Sequence, residues 1–227
     1  MHYKLTFAGV ALILTGCTAV STTGTDNRPL PQRSDLQHIR LANGMNVYLL
    51  SRPQPGAELR LLVESGSLQE TEEQRGLAHF TEHMAFKGTT HFPDTQSFKQ
   101  LEKQGLNPGS HVNPAPSLNS TVYKLSLPQA TPEQIQTGLQ VLADWAQGMT
   151  FDPVAFDKER SVIIEEWRLR QGIGFRINNA LEQLRYAGSL YAERDPIGLL
   201  DVIRHAPVST AKDYYQTWYQ PQRMSLV

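Results

Sequence analysis

Three polar residues stand in an otherwise apolar stretch: His79, Glu82 and His83 within Gly76-Leu77-Ala78-His79-Phe80-Thr81-Glu82-His83-Met84-Ala85-Phe86-Lys87-Gly88. On a helix, His79 and His83 are four residues apart, so their rings stack on one face about one turn apart. Two imidazoles placed this way can ligate a single zinc ion. Glu82, three residues after His79, can hold a water at the metal without ligating it and act as its general base. The order H-x-x-E-H is the inverse of the commoner H-E-x-x-H arrangement. The bland alternative is an exposed helix with scattered polar residues. It fits poorly, because Leu77, Ala78, Phe80, Met84, Ala85 and Phe86 surround the polar positions on nearly all sides. Buried His and Glu must be paired or ligated.

Zinc in a catalytic site takes a third protein ligand and leaves a fourth position open. The best source is the helical segment opening at Asp152-Pro153. At about 100° per residue, Phe156, Val162, Ile163 and Trp167 fall within one arc of that helix, and Glu159 and Glu166 fall inside the same arc. Glu165 falls outside it, on the solvent side. Two carboxylates on a core face are costly unless something cationic lies opposite. The assignment is Glu166 as third ligand, with Glu159 holding a ligand histidine from behind. The competing reading is a structural pair satisfied by Arg75, Arg160 or Arg168.

The elements that must position these residues are mixed. His38–Leu41 and Met45–Leu50 read as a hairpin turning at Asn43-Gly44. Glu58–Glu64 reads as a strand, and Val122–Leu127 alternates cleanly until Pro128. Helical patterns cover 75–86, 94–104 with an acidic cap, 131–147, 152 to just before Gly172, and further stretches near 176–187 and 209–218. No regular βαβ rhythm appears, so the class is α+β. Apolar residues make up 40% of the chain, enough for a core, and the net charge is -1 with both signs interspersed. That balance argues against a nucleic-acid partner.

The N-terminus reads differently from the rest. Leu5–Leu14 is too short to span a bilayer as a helix but suits the apolar core of a signal peptide. Leu14-Thr15-Gly16-Cys17 resembles the lipobox of bacterial lipoproteins, and Cys17 is the single cysteine. The resemblance implies a signal over residues 1–16 and a lipid on Cys17 as a membrane anchor. Thr18, where an Asp would signal inner-membrane retention, implies the outer membrane, facing the periplasm. Residues 17–34, poor in apolar side chains, read as a flexible tether, and the folded part as 35–227. With its thiol lipidated, the chain has no internal disulfide and depends on its core.

The motif from Gly76 to Thr89, followed by Glu159-Arg160-Ser161-Val162-Ile163-Ile164-Glu165-Glu166, resembles the pitrilysin-type (inverzincin) zinc metallopeptidases. The likeness runs from about Leu36 to the C-terminus and includes Arg194-Asp195-Pro196-Ile197-Gly198 and Trp218-Tyr219-Gln220-Pro221. It implies an antiparallel-rich sheet packed by helices, forming one half of a two-domain catalytic unit. It also implies one zinc per chain on His79, His83 and Glu166, Glu82 as base, and Glu159 behind a ligand. Substrate in that family adds as an extended strand to a sheet edge just before Val122, where Asn113 matches a family Asn. Pro114 and Pro116 depart from the pattern, because proline has no N–H to give an added strand. The family's second half, which helps hold substrate, would follow where this sequence stops. The expected activity is therefore a zinc endopeptidase for peptides or unfolded polypeptides in the periplasm, completed by a second half or partner. The alternative is a proteolytically inactive zinc-binding envelope lipoprotein acting as subunit or scaffold.

Overall fold

In Thr121–Leu127, every second residue (Thr121, Tyr123, Leu125 and Leu127) is buried and the three between are half-exposed. This period of two places the strand with one face on a core. It belongs to a six-stranded sheet in a computed structural model that describes residues 33–227. The expected signal segment, Cys17 and the tether up to residue 32 lie outside the described residues. The strands are β1 (Leu36–Arg40), β2 (Asn46–Leu50), β3 (Ala57–Val63), β4 (Val112–Pro116), β5 (Thr121–Leu127) and β6 (Met224–Leu226). They lie in the order β1-β2-β6-β3-β5-β4, all antiparallel except the β2–β6 pair.

Seven helices occur among the described residues: α1 (Leu77–Met84), α2 (Gln96–Lys103), α3 (Pro132–Gln147), α4 (Pro153–Leu169), α5 (Ile173–Arg185), α6 (Leu200–His205) and α7 (Val208–Trp218). The architecture is α+β, and no described helix is long and apolar enough to cross a membrane. Two helix starts follow the expected chemistry. The Thr131 hydroxyl accepts from Gln134 N at 3.2 Å and the Asp152 carboxylate from Ala155 N at 2.8 Å, each followed by proline at the first helical position. α2 differs from expectation. Its cap position is Thr95, whose side chain makes no cap bond, while Asp94 sits at φ +54° in the preceding turn. The hairpin turn is also longer than Asn-Gly alone. Leu41 N donates to Met45 O, enclosing Ala42–Gly44, with Gly44 at φ +92° where a side chain would be strained.

Between sheet and helices lies one apolar core that includes Trp145, Tyr123, Phe80, Phe156 and Tyr214, all essentially inaccessible. α1 runs through it, packed against α7, α4 and β4. Contact with α4 is made by the stacked rings of Phe80 and Phe156, with centroids 3.9 Å apart. The Arg160 guanidinium lies over Phe156 at 5.0 Å and donates to the carbonyls of Ala206 and Ile203. Val162, expected on the core arc of α4, is instead 44% exposed, on the outer flank of the helix. α5 buries no residue at all, and Ile173, Ile177, Leu181 and Leu184 leave more than half their surface open.

Candidate metal centre

The start of α1 is fixed before any of its functional side chains appear. Gly76 caps it at φ +106°, and the Glu70 Oε1 atom accepts from Gly76 N at 3.0 Å and Ala78 N at 2.7 Å. A carboxyl oxygen on the orphan N–H groups of a first turn satisfies them. Gly198 closes against the same point: a Cβ there would stand 2.2 Å from Gly76 Cα, and Leu199 N donates to Arg75 O. The helix is thereby held at its N-terminal end by Glu70 and Gly198 and along its flank by Phe156.

One turn further on, His79 and His83 meet edge to face with ring centroids 4.7 Å apart. From α4, Glu166 Oε2 reaches within 3.5 Å of His79 Nε2 and 3.6 Å of His83 Nε2. Donor atoms about 2.1 Å from a tetrahedral zinc stand roughly 3.4 Å from one another, so Glu166 lies from each imidazole at the spacing of two ligands on one ion. Glu82 Oε2 lies slightly further out, 4.0 Å from His79 Nε2 and 3.8 Å from His83 Nε2. The ligand-type atoms of His79, Glu82 and His83 all lie within 4.8 Å of one another. Glu165 points away, its side chain 59% exposed and paired with Arg168 at 3.3 Å.

A second carboxylate stands behind His83. Glu159 Oε1 accepts from His83 Nδ1 at 2.7 Å, and its Oε2 pairs with Lys87 Nζ at 2.6 Å. That bond puts the proton on Nδ1 and leaves the Nε2 lone pair facing Glu166. The cation that offsets Glu159 is therefore Lys87, not Arg75, Arg160 or Arg168. A signal was present in the sequence, since Lys87 follows His83 by four residues. The role of Glu70 carried no comparable signal, because its use depends on the turn that brings it under α1.

Burial sets the protonation of the group. It is the largest influence on His79, reinforced by the charges of His83 and Arg170, and brings that imidazole down to about 3, so His79 is neutral at ordinary pH. Burial pushes Glu82 up to about 7; His83 opposes this, and Glu166 and Glu159 add to it. For His83, burial pulls downward, but the bond to Glu159 and the charges of Glu82, Glu166 and Glu159 hold it above its usual value. Glu159 stays below the usual carboxylate range: burial is outweighed by its bonds to His83 and Lys87.

Asn113, the remaining expected contact, lies on β4 opposite Lys124. Its side-chain amide donates to Gly109 O at 3.0 Å, so it braces the preceding loop.

Residues 46–171 match the model of a family described as Insulinase (Peptidase family M16). Two bacterial proteins described as probable zinc protease PqqL are similar along most of the chain. The one from Haemophilus influenzae is 34% identical over 99% of this chain and 24% of its own length; that from Escherichia coli is 35% identical over 87% and 22%. The crystal structure of the periplasmic protease PqqL from Escherichia coli aligns with a TM-score of 0.84 over 87% of this chain and 22% of that one, at 35% identity. The structure of its first half aligns at 0.83, also at 35% identity, covering 87% of this chain and 42% of that half. The chain thus spans less than a quarter of the length of these curated relatives.

Proposed function

Since this chain belongs to the insulinase family of peptidases (M16), we propose that it is the metal-binding part of a zinc endopeptidase for peptides or unfolded polypeptides in the periplasm. One observation carries the reading: Glu166 Oε2 stands 3.5 Å from His79 Nε2 and 3.6 Å from His83 Nε2, with Glu82 Oε2 slightly further from both imidazoles. Zinc held there supplies Lewis acidity toward the scissile carbonyl and the attacking water. His79, His83 and Glu166 hold the ion, one per chain. Glu159 orients His83. Glu82 takes a proton from the water and returns it to the leaving amine nitrogen. The substrate lies extended along the free edge of the sheet at β4, beside α1.

A second half or partner subunit completes the clamp around the substrate. Two facts support this: the relatives are about four times longer than the matched share, and α5 leaves an apolar face open. The described periplasmic character of the Escherichia coli structure and the lipobox at Cys17 support residence in the cell envelope, with residues 1–16 removed and residues 17–34 tethering a domain of 35–227 to the outer membrane. Palmitate labelling tests the anchor: label on the wild-type precursor and none on Cys17→Ser is the expected pattern, and label retained in the variant contradicts it. A competing reading, an inactive zinc-binding scaffold, draws on the two prolines of β4.

The deciding experiment compares wild type with Glu82→Gln for zinc content and for cleavage of an unstructured peptide, alone and with a second-half partner. The variant is expected to keep zinc and to lose cleavage by roughly 10²–10⁴-fold. Equal cleavage by both contradicts the role of Glu82. Zinc binding without cleavage in every combination favours the scaffold.

A further inference from the structure

β4 is the last strand of the sheet, with β5 on one side and an open edge on the other. In an antiparallel strand, the N–H and C=O of one residue face the same way, and successive residues alternate. Two bonds fix the phase here. Ser126 N donates to His111 O at 2.8 Å, and Ser117 N donates to Ser120 O at 2.8 Å. His111, Asn113 and Ala115 therefore turn their backbone groups toward β5, as Ser117 does its N–H, and Val112, Pro114 and Pro116 turn theirs to the open edge. Val112 O is already taken by Gly109 N at 3.1 Å, in a bridge that closes that end. Beyond that bridge, from Pro114 to Pro116, what remains exposed to a new strand is a pair of carbonyls, those of Pro114 and Pro116, with no outward N–H between them.

The placement of both prolines on the outward phase is significant. On the inward phase each would have removed a bond to β5 and weakened the sheet. On the outward phase they leave the fold intact and alter what the edge can hold. An ordinary edge offers donors as well as acceptors, whereas the stretch Pro114–Pro116 offers acceptors alone.

We propose that Pro114 and Pro116 make the edge a one-way clamp that selects its peptide by the peptide's own N–H groups. An extended segment laid antiparallel on β4 donates two N–H groups, from residues two apart, to the carbonyls of Pro114 and Pro116, and receives no bond in return. Its carbonyls at those positions stay with water. Segments carrying proline or an N-methyl group at either position are rejected, and the grip on all others is weaker than a full ladder would give. The same feature prevents two copies of the chain from pairing edge to edge. The inference rests on the peptidase reading only in taking a peptide as the occupant.

Binding, not turnover, is the readout, so that the test stands apart from catalysis. The probe is a short fluorescein-labelled unstructured peptide and a set of copies N-methylated one position at a time, titrated into the full zinc-loaded chain carrying Glu82→Gln and followed by anisotropy. Pro114→Ala and Pro116→Ala, introduced singly on that background, each restore one outward N–H and are expected to tighten the Kd by about 2–10-fold, the worth of one net hydrogen bond. N-methylation is expected to weaken binding at two positions two residues apart and to leave their neighbours unaffected. Thermal melting of each variant shows that the edge is still folded. Unchanged Kd in both proline variants, a uniform N-methyl scan, or no binding by any variant overturns the clamp. Failure of the peptidase reading would appear elsewhere, as cleavage that does not depend on Glu82.

Discussion

Replacing Glu159 with Gln isolates the contribution of the charge behind the metal site. Glutamine has nearly the same shape, and its Oε1 can still accept from His83 Nδ1, so the bond at 2.7 Å survives while the negative charge is lost. Two consequences follow. The imidazole becomes a poorer donor to a cation, because the anion that made its Nε2 more basic has gone. Lys87, now 2.6 Å from that carboxylate, is left with an uncompensated charge close to the site. Both changes act against a bound cation. Loss of such a supporting carboxylate weakens metal affinity by about 10–100-fold, equivalent to roughly 1.4–2.7 kcal/mol. The assay is a competitive zinc titration against a chromophoric chelator, run well below the melting temperature. Lys87→Met is the matching control: it removes the cation and keeps the anion, so zinc affinity should hold or rise. Unchanged affinity in Glu159→Gln, with its fold intact, would refute the argument that Glu159 acts on the site through His83.

Two further predictions concern the start of α1. Burial pushes Glu70 up to about 8 against the pull of its bonds to Ala78 and Gly76 and of Arg194 and Arg75. Between its ordinary value of 4.5 and about 8, the folded chain keeps a proton that the unfolded chain has lost, so stability falls as pH rises through that window. Glu70→Gln should flatten this part of the profile, read as urea midpoints at about pH 5 and about pH 8, and parallel profiles for both proteins would contradict it. Gly198→Ala places a Cβ 2.2 Å from Gly76 Cα at φ +76° and should lower Tm by roughly 5 °C or more, with weaker zinc binding as α1 shifts; an unchanged Tm would contradict the packing argument.

Side-chain periodicity made much of this arrangement legible in the sequence. The i, i+4 spacing placed both imidazoles on one face of α1, and the phase of α4 turned Glu159 and Glu166 inward and Glu165 outward, as the structure also has them. The same phase misplaced Val162, because a helix arc drawn from composition cannot tell the flank of a contact from its centre. Strand β4 was harder to read. Two prolines argue against a strand until its edge position is known, and that position is a property of the whole sheet. β6, three residues long, and α6, six residues long, are too short for a period to register. Glu70 reaches six and eight residues ahead across the turn before α1, and Gly198 meets α1 through a long-range contact; no helix or strand period marks either.

The central claim is that His79, His83 and Glu166 hold zinc on these two facing helices. The most direct measurement is zinc stoichiometry of the purified chain in Glu166→Ala and Glu165→Ala, two neighbouring carboxylates that differ in direction. One zinc per chain is expected in the wild type and in Glu165→Ala, with Glu166→Ala far below it at the same free zinc. Equal zinc in the two variants, or loss confined to Glu165→Ala, would contradict the site.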